Sequence, residues 1–263
     1  MFRNAIVCPP CSRFAEGLTT VRLGAPVLER ALEQHARYCE ALERCGLSLT
    51  RLDPDPRFPD GTFVEDAAVL TPGSAILARP GAGSRQGEVA GIREALGRFY
   101  GSIRAIEAPG TVDGGDICDA EGHFFIGISE RTNEAGARQL AGFLEKEGYT
   151  SSFVDIRNTG GILHLKSGIA HLGDRCLVLI DALAGREEFR GYDSVRVEAS
   201  EEYAANCVRV NDRVLIAAGF PVLVNEGTGM HRVGAPPVLA AELPQRVAAS
   251  SLYLLGMWTH FAV

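Results

Sequence analysis

The chain repeats itself, and that limits its fold more than any single motif does. Four stretches follow one plan: "AAVLTPGSAILARPGAGSRQGEVAGIREALGRF", "DICDAEGHFFIGISERTNEAGARQLAGFLEK", "SGIAHLGDRCLVLIDALAGREEF" and "NCVRVNDRVLIAAGF". Each is a short apolar strand, a turn carrying Gly or Asn-Asp, and a second short strand; the first two run on into an amphipathic helix. Their turn residues Gly73, Gly122, Gly173 and Asp212 stand 49, 51 and 39 positions apart, the period of a repeated supersecondary unit.

The helix is legible in two copies, from Val89, Ile92, Leu96 and Phe99, and from Leu140, Phe143 and Leu144 closing at Gly148. A further helix is expected from about Pro26 to Gly46, with Leu28, Leu32, Tyr38, Leu42 and Cys45 near one face, and "NAIVCPP" before it supplies a strand. That gives about five βαβ-like modules in series. No module of this size buries its apolar face alone, so a closed ring of modules around a central site is the economical α/β arrangement.

Composition narrows the function. A chain of 263 residues is long enough for one domain with a full core. Against 33 Asp plus Glu it sets 26 Lys plus Arg, net −7, with no basic run to follow a phosphate backbone, so nucleic acid is not an expected partner. Apolar runs are only a few residues long, and Met1 is followed at once by Arg3 and Asn4, which reads as a soluble cytoplasmic protein away from membranes. The seven cysteines are an odd number without paired spacing, which argues against a disulfide framework. Cys8 and Cys11 form a lone "CPPC"; with no second Cys or His pair at zinc spacing, they read as loop thiols rather than a metal or redox site.

Charged residues gather where modules begin. "FPDGTFVEDAAVL" places Asp60, Glu65 and Asp66 directly before a strand, and "TVDGGDI" places Asp113 and Asp116 before the corresponding strand of the next repeat. One acidic turn is ordinary surface; two at equivalent module ends can converge on one cavity. Converging carboxylates can hold a hard cation, or a planar guanidinium through paired charge-assisted hydrogen bonds. Calcium loops are absent, and Arg85 in "GAGSRQGE" and Arg131 in "SERTNEAGA" follow strands of the same modules, so the pattern favours a zwitterionic amino acid with a basic side chain. Either Arg alone can equally pair with a surface Glu. His164, between two leucines in "GGILHLKSGIAHL", taken alone reads more readily as a satisfied core residue than as a catalyst; Gly160, Gly161 and Lys166 around it mark a tight approach.

These residues resemble the dimethylarginine dimethylaminohydrolases, within the guanidino-group-modifying or pentein superfamily. "GLTT" with "ALEQHARY", then "FPDGTFVEDAAVL", "ARPGAGSRQGE", "EAPGTVDGGDI", "FFIGISERTNEAGARQ", "LHLKSG" and "YAANCVRVNDRV" come in that family's order and spacing, over roughly residues 1 to 220. The resemblance implies a five-module α/β propeller that hydrolyses asymmetric dimethylarginine or monomethylarginine to citrulline and a methylamine, with no metal and no cofactor. It implies that Asp66 and Asp113 grip the guanidinium, supported by Asp60 and Glu65, while Arg85 and Arg131 hold the substrate carboxylate. Leu18 would sit on a mobile lid, and His164 would be the acid/base, counted with Asp113 as catalytic. A homodimer is a mild expectation from resemblance.

The family attacks the guanidinium carbon with a thiolate, passing through a covalent thiouronium that water then opens. That cysteine lies near the family's C-terminus, after Asp-Gly-Gly. Here no cysteine follows Phe220. Residues 221–263 form an atypical tail on the single domain, with only four charged residues (Glu226, Arg232, Glu242, Arg246) against 55 in the preceding 220. The tail shows none of the fifth module's expected strand and turn, so that module is expected to be disrupted. Cys207 in "YAANC" matches a family cysteine that is not the nucleophile. A reading-frame change after about Phe220 would explain the break. The alternatives are an inactive methylarginine-binding protein and an arginine deiminase-like activity.

Overall fold

Five small sheets make up the fold, one for each expected module. The computed structural model describes residues 1–19, 24–217 and 252–255. Module one pairs β1 (Asn4–Val7) in parallel with β2 (Ser48–Arg51) across α1 (Leu28–Arg44). Module two joins β3 (Ala68–Leu70) antiparallel to β4 (Ala75–Leu77), then returns through α2 (Val89–Leu96) to β5 (Ile103–Ala105), parallel to β4. Module three repeats this with β6 (Ile117–Asp119), β7 (His123–Ile128), α3 (Glu134–Glu145) and β8 (Thr150–Asp155).

Module four, with β9 (Ile169–Gly173), β10 (Cys176–Ile180) and β11 (Asp193–Val197), keeps the strand plan, but a 3-10 turn over Glu187–Phe189 replaces the helix. Positive-φ Gly185 and Gly191 bracket that short return and interrupt any α-helix there. Module five has β12 (Val208–Val210) antiparallel to β13 (Arg213–Ala217), and β14 (Leu252–Leu255) parallel to β13. The third strand of this sheet was not expected from the tail. "LYLL" is a short apolar run, which suffices to add to the free edge of β13.

Local chemistry explains the elements. The β6–β7 hairpin turns on Glu121 and Gly122, both at positive φ (57° and 102°), as a tight two-residue turn requires. At the start of α3, Asn133 Oδ1 accepts the Gly136 N–H at 2.8 Å, a side-chain N-cap. In α1 and at its C-cap the expected Tyr38, Leu42 and Cys45 are buried, joined by Ala31, His35 and Cys39, while Leu32 stands 40% exposed.

Neighbouring modules bury each other. One core cluster joins Val7 and Leu42 of module one to Leu77 and Leu96 of module two and to Val210 and Leu215 of module five. First and last modules are also stitched by polar contacts: Asn211 Oδ1 accepts the Phe2 N–H at 2.7 Å, its Nδ2 donates to the Phe2 and Cys45 carbonyls, and Arg213 Nη1 donates to the Arg44 carbonyl at 2.9 Å. Among the described residues no helix is long and apolar enough to cross a membrane.

Candidate active site

Modules two to five each begin with a 3-10 turn, over Val64–Ala67, Gly114–Asp116, Leu165–Ser167 and Ala199–Ala205, and each packs against the next. The same interlock recurs. Asp66 Oδ1 accepts the Gly115 N–H at 2.9 Å, and Asp116 Oδ1 accepts the Leu165 N–H at 3.0 Å, each bond spanning 49 residues. A carboxylate on one turn thereby fixes the backbone of the next.

Such proximity requires glycine at two positions. A Cβ on Gly114 would stand 2.0 Å from the Glu65 carbonyl oxygen, and one on Gly115 would meet Asp66 Oδ1 at 2.8 Å and His164 Cγ at 2.9 Å. The "DGG" of the middle repeat therefore brings Asp66, Asp113 and His164 together. All three are buried, and a carboxylate oxygen of each aspartate and a ring nitrogen of His164 lie within 4.8 Å of one another. A divalent cation could span that distance. The Arg85 guanidinium fixed against Asp66 sets a positive charge beside it.

Each carboxylate has a distinct environment. Asp113 Oδ1 accepts the Gly81 N–H at 2.8 Å, but its Oδ2 is buried without a hydrogen-bond partner and faces His164 Nε2 at 4.0 Å. Burial, then the Asp66 charge, pushes the Asp113 carboxyl up to about 6. Asp116 Oδ2 accepts from Ser129 Oγ and Thr132 Oγ1, both at 2.7 Å, and stands 3.5 Å from His164 Nδ1. Burial pulls the His164 imidazolium down, but Asp116, Asp66 and Asp113 outweigh it, and the net shift is upward. Glu65 is ion-paired to Lys166, two residues after His164.

The two arginines separate. Arg85 is buried and engaged on all three nitrogens: Nη1 donates to Asp66 Oδ2 at 2.6 Å, Nε to both Glu88 oxygens at 3.1 Å, and Nη2 to Glu88 and the carbonyls of Asp60 and Phe63. The Arg131 guanidinium is half-buried and makes no ion pair among the described residues. Asp60 is buried, and burial raises its carboxyl. It accepts the Leu18 N–H on both oxygens, at 3.0 and 3.2 Å. Leu18 itself is 48% exposed.

Two contributors were not singled out from sequence. Asp116 was noticed only as a member of an acidic turn, and Glu88 not at all, although its place three residues after Arg85 in "SRQGE" is the spacing of a helical ion pair. All seven cysteines lie among the described residues, none joins the Asp66, Asp113 and His164 group, and burial pushes the thiols of Cys8 (about 11), Cys118 and Cys207 (both about 12) away from ionisation.

No family model matches the chain. Curated proteins and solved structures do. A dimethylarginine dimethylaminohydrolase of Pseudomonas aeruginosa is 45% identical over 222 residues, 84% of this chain and 86% of that protein. The structure of the Pseudomonas aeruginosa enzyme as a cysteine-to-serine mutant complexed with citrulline superposes with TM-score 0.84 at 39% identity, covering 97% of this chain and 92% of that one. The N-terminal domain of a cyanobacterial arginine dihydrolase, at 17% identity, TM-score 0.75 and 97% and 91% coverage, shares the fold alone.

Fold and site together define an α/β propeller of the pentein class, built from repeated modules whose turns meet at the centre. Within that class the chain belongs to the dimethylarginine dimethylaminohydrolase family.

Proposed function

We propose that this site recognises the guanidinium of a methylated arginine, asymmetric dimethylarginine or monomethylarginine, for hydrolysis to citrulline and a methylamine, and that this sequence carries the recognition and acid/base half of that chemistry without the nucleophile. The observation that carries the reading is Asp113 Oδ2: a buried acceptor with no donor, beside Asp66 and facing His164. A buried lone acceptor is costly, and guanidinium N–H groups would satisfy it.

Roles follow from position. Asp66 and Asp113 face the guanidinium, with Arg85 and Glu88 holding Asp66 in place from behind. Arg131, rather than the fully engaged Arg85, offers its charge to the substrate carboxylate. Asp60 anchors Leu18 over the entrance. In the complete reaction a thiolate bonds to the guanidinium carbon, the bond from carbon to the methylated nitrogen breaks, and His164 gives the leaving amine its proton. His164 then takes a proton from water as its oxygen displaces sulfur, giving citrulline and the free thiolate.

The first step needs a sulfur at the site, and none of the seven cysteines is there. That observation favours binding without turnover for this chain, through a reading-frame change after about Phe220. The coding DNA tests the cause: a frame downstream of codon 220 that encodes Gly-Gly-x-Thr/Ser-Cys near its end is expected, and two frames without it contradict the idea. Titration calorimetry tests recognition. Dimethylarginine is expected to bind one to one and ornithine, which lacks the guanidinium, to bind at least tenfold more weakly; equal affinities would overturn the reading.

A further inference from the structure

We propose that Asp116 is the positioning residue of the acid/base group: its carboxylate orients His164 through Nδ1, so that Nε2 is the nitrogen presented to the ligand. The inference rests on His164 being the acid/base of the site, and adds a residue to that machinery.

The repeat carries the argument. Asp66 and Asp116 are equivalent positions of modules two and three, and both use Oδ1 to capture a backbone N–H of the next turn. They differ at Oδ2. Asp66 gives that oxygen to the Arg85 guanidinium, at the edge of the ligand space. Asp116 gives it to two hydroxyls, Ser129 Oγ and Thr132 Oγ1, and to the approach of His164 Nδ1. Asp116 is fully buried; its bond to Leu165 N fixes the backbone beside His164, and its second oxygen stands 3.5 Å from His164 Nδ1. No ligand can reach Asp116 without displacing these groups.

The two hydroxyls matter because they fix the lone pairs of Oδ2. With both donating at 2.7 Å, the carboxylate cannot swing toward the ligand space, and its negative charge is held 3.5 Å from His164 Nδ1. An imidazole that donates Nδ1–H to a carboxylate keeps Nε2 for proton exchange, and Nε2 is the nitrogen that faces Asp113 Oδ2. The other charged groups around His164 are Asp66 and Asp113 on the ligand side; Lys166, on its own turn, is turned to Glu65.

The test is an NMR titration of the His164 imidazole in ligand-free protein, with Asp116→Asn beside the parent chain. Asn keeps an acceptor for the Leu165 N–H but carries no charge. The proposal expects the neutral ring of the parent to be the Nδ1–H tautomer, read from its nitrogen shifts. It expects Asp116→Asn to lower the His164 midpoint by about one pH unit, a tenfold loss of proton affinity, and to mix the tautomers. A variant that melts earlier while midpoint and tautomer stay put would mean a structural role only, and would overturn the proposal, as would an Nε2–H tautomer in the parent. Thr132→Val is the second variant: it takes one hydroxyl from Asp116 and the acceptor from the Asp113 N–H, the second loss being read in the melting temperature; the greater Asp116 charge left to His164 should raise the midpoint, and no movement counts against the idea. Because no ligand is present, failure of methylarginine binding would reject the functional reading without touching this result.

Discussion

Modules one and three show what a complete repeat contributes. Module three has an inner strand, a central strand, a helix and an outer strand, and the turn that begins it delivers Asp113 and Asp116 to the centre. Module one has only the central and outer strands among the described residues, β1 and β2. The antiparallel strand that would precede β1 by the fivefold plan, and the turn that would begin it, lie outside them. The opening turn is described in modules two to five, and in modules two to four it supplies Asp66, Asp113 with Asp116, and His164. By the same logic the fifth such turn should supply the remaining reactive group, and it belongs to the stretch of sequence that holds no cysteine.

Breaking the complete side should have the largest effect. Gly114→Ala drives a Cβ to 2.0 Å from a backbone oxygen that cannot rotate away, so the interlock between modules two and three must open. A loss of about 3 kcal/mol in stability and of detectable dimethylarginine binding is expected, read by denaturant melts and calorimetry.

The buried charge of module three gives a smaller effect with a definite sign. Asp113 holds its proton up to about pH 6 in the folded protein, whereas an unfolded aspartate loses it near pH 4. Between these values the folded state binds more protons, so the contribution of Asp113 is greatest below the window and falls as pH rises through it, on the order of 2 kcal/mol. The difference in unfolding free energy between the parent and Asp113→Asn, followed from pH 3 to 7, should show this slope, and ligand affinity in the parent should rise over the same range as the carboxylate ionises.

The seam of module one should matter least to the site. Asn211→Ala removes the side-chain amide that joins Phe2 and Cys45 to module five. About 1 kcal/mol of stability should be lost, with ligand affinity unchanged. A large loss of binding on this change would mean that the seam and the site are not separable.

Much of this was legible in the sequence, for physical reasons that differ from place to place. The hairpins of modules two to five follow from alternating short apolar runs broken by Gly or Asn-Asp, because tight turns need residues that tolerate positive φ. Asp66 and Asp113 were legible as acidic residues at equivalent module ends, whereas His164 taken alone read as a core residue and was singled out only through the family resemblance. On α1 the buried Tyr38, Leu42 and Cys45 were legible, but Leu32 was assigned inward wrongly, because small Ala31 and neutral His35, its imidazolium pulled down by burial, line the core there instead. The occupation of Arg85 was not legible: "SRQGE" shows a possible partner in Glu88, but nothing local shows that Asp66 lies 19 residues back and 2.6 Å away. Asp116 escaped assignment because its importance lies in contacts to Ser129, Thr132 and Leu165, which only folding brings together.

The central claim is recognition without the nucleophile, and one paired measurement reaches it most directly. Purified chain at a concentration above its dissociation constant is incubated with asymmetric dimethylarginine, and binding and citrulline release are followed on the same sample. Saturable binding with no citrulline above the protein-free blank is the predicted result. Catalytic release of citrulline would contradict it, because a reactive thiol or its substitute would then have to exist in this sequence.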